Sequence, residues 1–257
     1  MSANAHTAVM TDLEQRIQDG RQLSAPRPRI NRIMEDRFYG RKPRVDIQRA
    51  VLFTQSMMQT EAYPQVLRTA LAIQYMMEHI EVVIQPHELI VGTAGGPGRY
   101  CVLYPETRGG QFPRDLPKIL KAEGKAGYAM TQAEVDTVLN EVVPYWKGKT
   151  LRDYWNAQAP KPILDIISVG GVIDNDIKIE CAPGETTPEF PDHLLPKGFK
   201  GIQDEAQALL DAVDLTVPAN YEKRDFWQAA VIVNEGLRIL CRRHAEAAEA
   251  LAARESD

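Results

Sequence analysis

The chain has 257 residues, a net charge of −5, and 44% hydrophobic against 25% charged residues, the balance of a globular protein and not of a disordered one. Its mild acidity argues against a nucleic-acid binder, and no stretch reaches the roughly 18 consecutive apolar residues of a spanning helix. The opening Met1–His6 has neither the basic nor the apolar region of a secretory leader, so the expectation is a cytoplasmic chain with no membrane partner.

The elements expected in chain order are mainly α-helical with a few short strands. Thr11-Asp12-Leu13-Glu14 reads as a capping box for a helix to Gln18, which Gly20 stops. Ile30, Ile33, Met34 and Phe38 give one apolar face to segment 29–38, closed by Gly40 and Pro43. Asp46 is a good cap for a helix over 47–60, and another follows Pro64 as far as Ile80. Both are apolar over a wide arc, and Val51, Met57, Leu71 and Met76 are expected on buried faces.

The pattern then changes. Glu88-Leu89-Ile90-Val91-Gly92 reads as a short strand, Gly95–Gly98 as a breaker, and Arg99–Glu106 as a second short strand. Thr131-Gln132-Ala133-Glu134 is a capping box for a helix through Val143, ended by Pro144. Residues 158–201 hold six prolines and five glycines and read as a loop region. A last helix is expected over 225–254, with Phe226, Ala230, Val233, Leu237, Leu240, Cys241 and His244 at helical spacing.

Taken alone, the residues carry little chemistry. Cys101, Cys181 and Cys241 lie far apart, with no zinc or iron–sulfur spacing, and read as three thiols. The Gly92–Gly98 cluster lacks both phosphate-binding signatures and reads as a turn. Glu78-His79-Ile80-Glu81 lacks the second histidine of a zinc helix, and Asp174-Asn175-Asp176 lacks the glycine and closing glutamate of a calcium loop. His87, His193 and His244 read as structural, and no activated serine is present. Metal ligands are therefore expected to be absent.

Several strings in order resemble the N-terminal part of glycyl radical enzymes of the pyruvate formate-lyase superfamily, in the branch of isethionate sulfite-lyase, glycerol dehydratase and choline lyase. They are Pro43-Arg44-Val45-Asp46-Ile47-Gln48-Arg49-Ala50, Phe53-Thr54-Gln55-Ser56-Met57 with Thr60-Glu61, and Glu88–Gly92. Gly98-Arg99-Tyr100, Leu103-Tyr104-Pro105-Glu106, Pro144–Thr150 and Arg224-Asp225-Phe226 complete the set. The resemblance implies the N-terminal helical part of an α/β barrel, with residues 1–24 as a lead-in and 25–257 as the N-terminal part of the domain.

What that family uses for catalysis is missing from this sequence. The thiyl cysteine lies in a Cys-x-Glu loop and the radical glycine in an Arg-Val-x-Gly-Tyr-like loop. Here Cys101, Cys181 and Cys241 are followed at the second position by Leu103, Pro183 and Arg243, and no such glycine loop occurs. The resemblance thus implies no catalytic residue and no cofactor in this chain, which alone would be inactive. A complete parent, on the same resemblance, would be a homodimer acting on a small molecule. Its glycyl radical would be installed by an S-adenosylmethionine-dependent iron–sulfur activase.

Dehydratase-like members carry a substrate-contacting histidine where Gly184-Glu185-Thr186-Thr187 stands here, making Glu185, Thr186 and Thr187 the candidate substrate-binding residues. Sulfonate lyases place Arg and Gln where this chain has Ala182 and Thr186. The reading is an N-terminal portion of a lyase or dehydratase cleaving a C–X bond of a small polar substrate. A portion of a fumarate-adding, benzylsuccinate-synthase-like enzyme and a non-catalytic helical scaffold or regulatory subunit are the alternatives.

Overall fold

A computed structural model describes residues 28–35, 42–92, 96, 98–121, 127–169 and 190–255, and its packing divides into two units. In the smaller, described over 28–35 and 86–89, helix α1 (Pro28–Met34) is tied down by Arg29, whose Nη1 donates to the His87 carbonyl at 2.9 Å. The expected helix over 11–18 lies outside the described residues.

The larger unit begins with a strand that the sequence reading missed. Strand β1 (Arg44–Asp46) pairs in parallel with β2 (Tyr100–Val102), setting Val45 opposite Cys101, and Arg44 also bridges Ala129. The strand expected at 88–92 does not form. Leu89 is 77% and Ile90 90% exposed, and β2 takes its ladder bonds from β1 instead. Strand-favouring side chains make no strand without a neighbour to accept the backbone.

Helices α2 (Gln48–Gln59) and α3 (Gln65–His79) form an antiparallel hairpin. Ala50, Phe53, Thr54 and Met57, at spacings of three and four, form the buried face of α2. Met57 and Met76 are buried as expected, against this chain's own residues, whereas Val51 and Leu71 are half-buried. After β2 come α4 (Phe112–Lys121), α5 (Gln132–Thr137), α6 (Leu151–Gln158), α7 (Lys161–Val169), α8 (Leu195–Asp211) and α9 (Tyr221–Ala252).

Three expectations are corrected here. Pro144 does not end the α5 segment; the chain passes through a π turn at Val138–Val142 and continues helically to Trp146. Proline offers no N–H to the preceding turn, and the wider π turn accommodates that loss. The 158–201 region is in part helical, because Pro162 and Pro196 sit in the first turns of α7 and α8, where a missing N–H costs nothing. Gly198, at φ 62°, kinks α8 near its start. The last helix begins at Tyr221, four residues before the expected start.

Helices α2, α3, α9 and α8 lie side by side in that order. Leu67 and Ala70 of α3 pack on Ala229, and the α9 residue Arg243 donates to the Met77 and Ile80 carbonyls at 2.7 Å each, so α3 and α9 run in the same direction. Gln203 of α8 reaches Glu235 and Arg238 of α9. The main core lies between α2, β1, the π turn and the 103–116 segment, with Val45, Phe53, Leu103, Leu116, Val138, Val142 and Trp146 buried.

Gly236 marks the closest approach of α9 to α3. A Cβ there would stand 2.9 Å from the Gln74 Cα, backbone that cannot step aside. Alanine is about 1 kcal/mol better than glycine inside a helix. We nevertheless expect Gly236→Ala to lower stability by about 1–3 kcal/mol, the usual cost of overpacking. A thermal or urea unfolding curve shifted upward would show that the two helices are not in this contact.

Candidate functional site

The densest polar arrangement of the described residues is the junction between β1 and α2. Asp46 closes β1 with its Oδ1 accepting the Gln48 backbone N–H at 2.8 Å, but the cap position of α2 is Ile47, which offers no side-chain cap, so Asp46 supports the helix start from one residue earlier and not as the expected cap. Its Oδ2 accepts the Gly96 N–H at 2.6 Å and the Gln48 side-chain amide at 3.2 Å. Gln48 Oε1 in turn accepts the Glu81 N–H at 2.9 Å, and Gln85 Oε1 accepts the Gly98 N–H at 3.0 Å. Asp46 and Gln85 thereby hold Gly96 and Gly98 of the glycine-rich stretch, and Gln48 ties Asp46 to Glu81. The Gly96 donor is taken by a carboxylate, which leaves it unable to serve a phosphate.

Arg49, one turn along, faces the other way. Its guanidinium makes a two-armed ion pair with Glu106, donates to the Leu103 carbonyl at 3.2 Å, and lies 4.0 Å from the Tyr104 ring centre and 5.0 Å from that of Phe53. The Arg49 side chain is 14% exposed. Such planar, stacked, bidentate contacts suit Arg and not Lys. Cys101 lies on β2 beside this junction. Burial pushes its thiol pKa up, and the Asp46 charge adds to the effect, the reverse of an activated nucleophile.

The string Pro144–Thr150 is likewise spent on structure. Tyr145 Oη takes a hydrogen bond from Arg68 at 2.6 Å, and the buried Trp146 Nε1 donates to Thr54 Oγ1 at 2.8 Å. Gly148, at φ 77°, turns the chain into α6, where Asp153 accepts from Gly148 N–H and Thr150 Oγ1 at 3.0 and 2.8 Å. Thr150 and Asp153 form a full capping box. Its Thr-x-x-Asp spacing was readable in the sequence and was missed.

The candidate substrate-binding residues Glu185, Thr186 and Thr187 lie outside the described residues, as do Ala182, Cys181 and Asp174–Asp176. The segment holding them leaves from α7 and returns at Phe190, ahead of α8. Among the described residues no three His, Cys, Asp or Glu side chains gather to hold a metal, and no helix is long and apolar enough to cross a membrane. His79 stacks on Tyr75 and bonds its carbonyl at 2.7 Å, and His244 is buried with Nδ1 on the Leu240 carbonyl at 3.0 Å. A groove of about 280 Å³ between Val82, Ile84, Ala247, Ala250, Leu251 and Arg254 is open, with apolar side chains and one arginine lining it. None of these arrangements is a catalytic constellation.

A model of the pyruvate formate lyase-like family matches residues 19–257. Isethionate sulfite-lyase of Oleidesulfovibrio alaskensis is 36% identical over 98% of this chain and 31% of its own length. That of Desulfovibrio desulfuricans is 37% identical over 90% of this chain and 28% of its own. The solved glycerol-bound B12-independent glycerol dehydratase from Clostridium butyricum superposes with a TM-score of 0.77 and 27% identity, covering 91% of this chain and 29% of that one. This chain thus spans about 30% of the length of the curated relatives it matches.

Arg49→Lys, which keeps the charge but loses the fork and the stacking, is expected to cost about 1–3 kcal/mol of stability. Replacing the exposed Lys161, paired with Asp165 on the surface of α7, should cost at most about 0.5 kcal/mol. Equal effects in denaturant titrations would mean that the Arg49 contacts are not made. In site-resolved alkylation, the pH of half-maximal rate at Cys101 should lie above that of an ordinary thiol, and Asp46→Asn should lower it without reaching the ordinary value. A midpoint at or below the ordinary value in the unmodified chain would contradict the burial of Cys101.

Proposed function

The chain belongs to the pyruvate formate lyase-like family, and on that premise we propose that it is the N-terminal portion of a glycyl radical lyase or dehydratase. Residues 25–257 are then the N-terminal part of the domain, with 1–24 as its lead-in. The reaction of the complete enzyme is cleavage of a C–X bond in a small polar substrate. The observation that carries this is the superposition on glycerol dehydratase over 91% of this chain, joined by sulfite-lyase relatives of higher identity.

The residues present do not fit the radical chemistry itself. Burial pushes the Cys101 thiol pKa up, Cys241 is exposed on a helix, and none of the three cysteines stands in a Cys-x-Glu string. We derive no radical step from this chain. Its contribution in this reading is a wall of the substrate cavity. Glu185 stands where related dehydratases place a histidine, and its carboxylate would accept a hydrogen bond from a substrate hydroxyl or a proton as the leaving group departs. Thr186 and Thr187 would add hydroxyl contacts. The activase and a homodimeric parent enter on the same premise. With Ala182 and Thr186 in place of Arg and Gln, a sulfonate would lack charge-assisted hydrogen bonds here, which favours a hydroxylated substrate.

Exposed anaerobically to an S-adenosylmethionine-dependent activase, the chain alone should give no glycyl radical signal in electron paramagnetic resonance and no turnover. Joined to a portion carrying the Cys-x-Glu and glycyl loops, it should give the signal and dehydrate a diol such as glycerol. Turnover by the chain alone, or a radical-bearing joined enzyme that cleaves no C–X bond, would overturn the reading. In the joined enzyme Glu185→Gln should lower turnover by roughly 10²–10⁴ with the radical yield unchanged. A change within a few-fold would remove Glu185 from the cavity.

A further inference from the structure

We draw no further inference here: the strongest candidate, the open groove that Val82 and Ile84 form with Ala247, Leu251 and Arg254 near the end of α9, is an apolar surface for which nothing in the structure shows what covers it.

Discussion

Arg49 extends from the first turn of α2 and places one planar guanidinium against Glu106, the Leu103 carbonyl and two aromatic rings at once. Largely withdrawn from water, that charge needs every one of those partners, because an unpaired buried charge costs several kcal/mol. Meeting the need draws the segment after β2 onto α2. Asp46 and Gln48, one to three residues earlier, meet the parallel need on the other side by taking the N–H groups of Gly96 and Glu81. A parallel two-stranded pair is weak in isolation. Here it persists because side chains at its end fix both the helix that follows β1 and the stretch that precedes β2.

The family-like strings are therefore mostly framework. The Arg44–Ala50 string supplies the joint, Leu103–Glu106 its other half, and Pro144–Thr150 the capped turn that seats Trp146 on Thr54. Polar groups committed in this way have no spare capacity for substrate.

The four-helix row depends on a second constraint, the approach of α9 to α3 at Gly236. Only a residue without a side chain lets the two helices run together there, and the contact joins segments separated by most of the chain. Arg243 adds to it by donating to two carbonyls that α3 leaves unbonded at its end. The row is an open layer and not a closed bundle.

Periodic and capping signals were legible without any structure. The buried stripe Ala50–Phe53–Met57, the helix after Pro64, the Thr131 capping box and the last long helix all rest on interactions within a few residues, which local sequence encodes. The ordered strings likewise led to the family, and the missing Cys-x-Glu and glycine loops are facts of sequence alone. Tertiary structure decided what depends on distant partners. The run at 88–92 has the strand-favouring pair Ile90 and Val91 and no strand, while Arg44–Asp46 becomes one because Tyr100–Val102 comes to lie beside it. The parallel course of α3 and α9, the aromatic enclosure of Arg49 and the raised pKa of the Cys101 thiol were illegible for the same reason. Each is set by groups far apart in sequence, and no local pattern records which of them will meet.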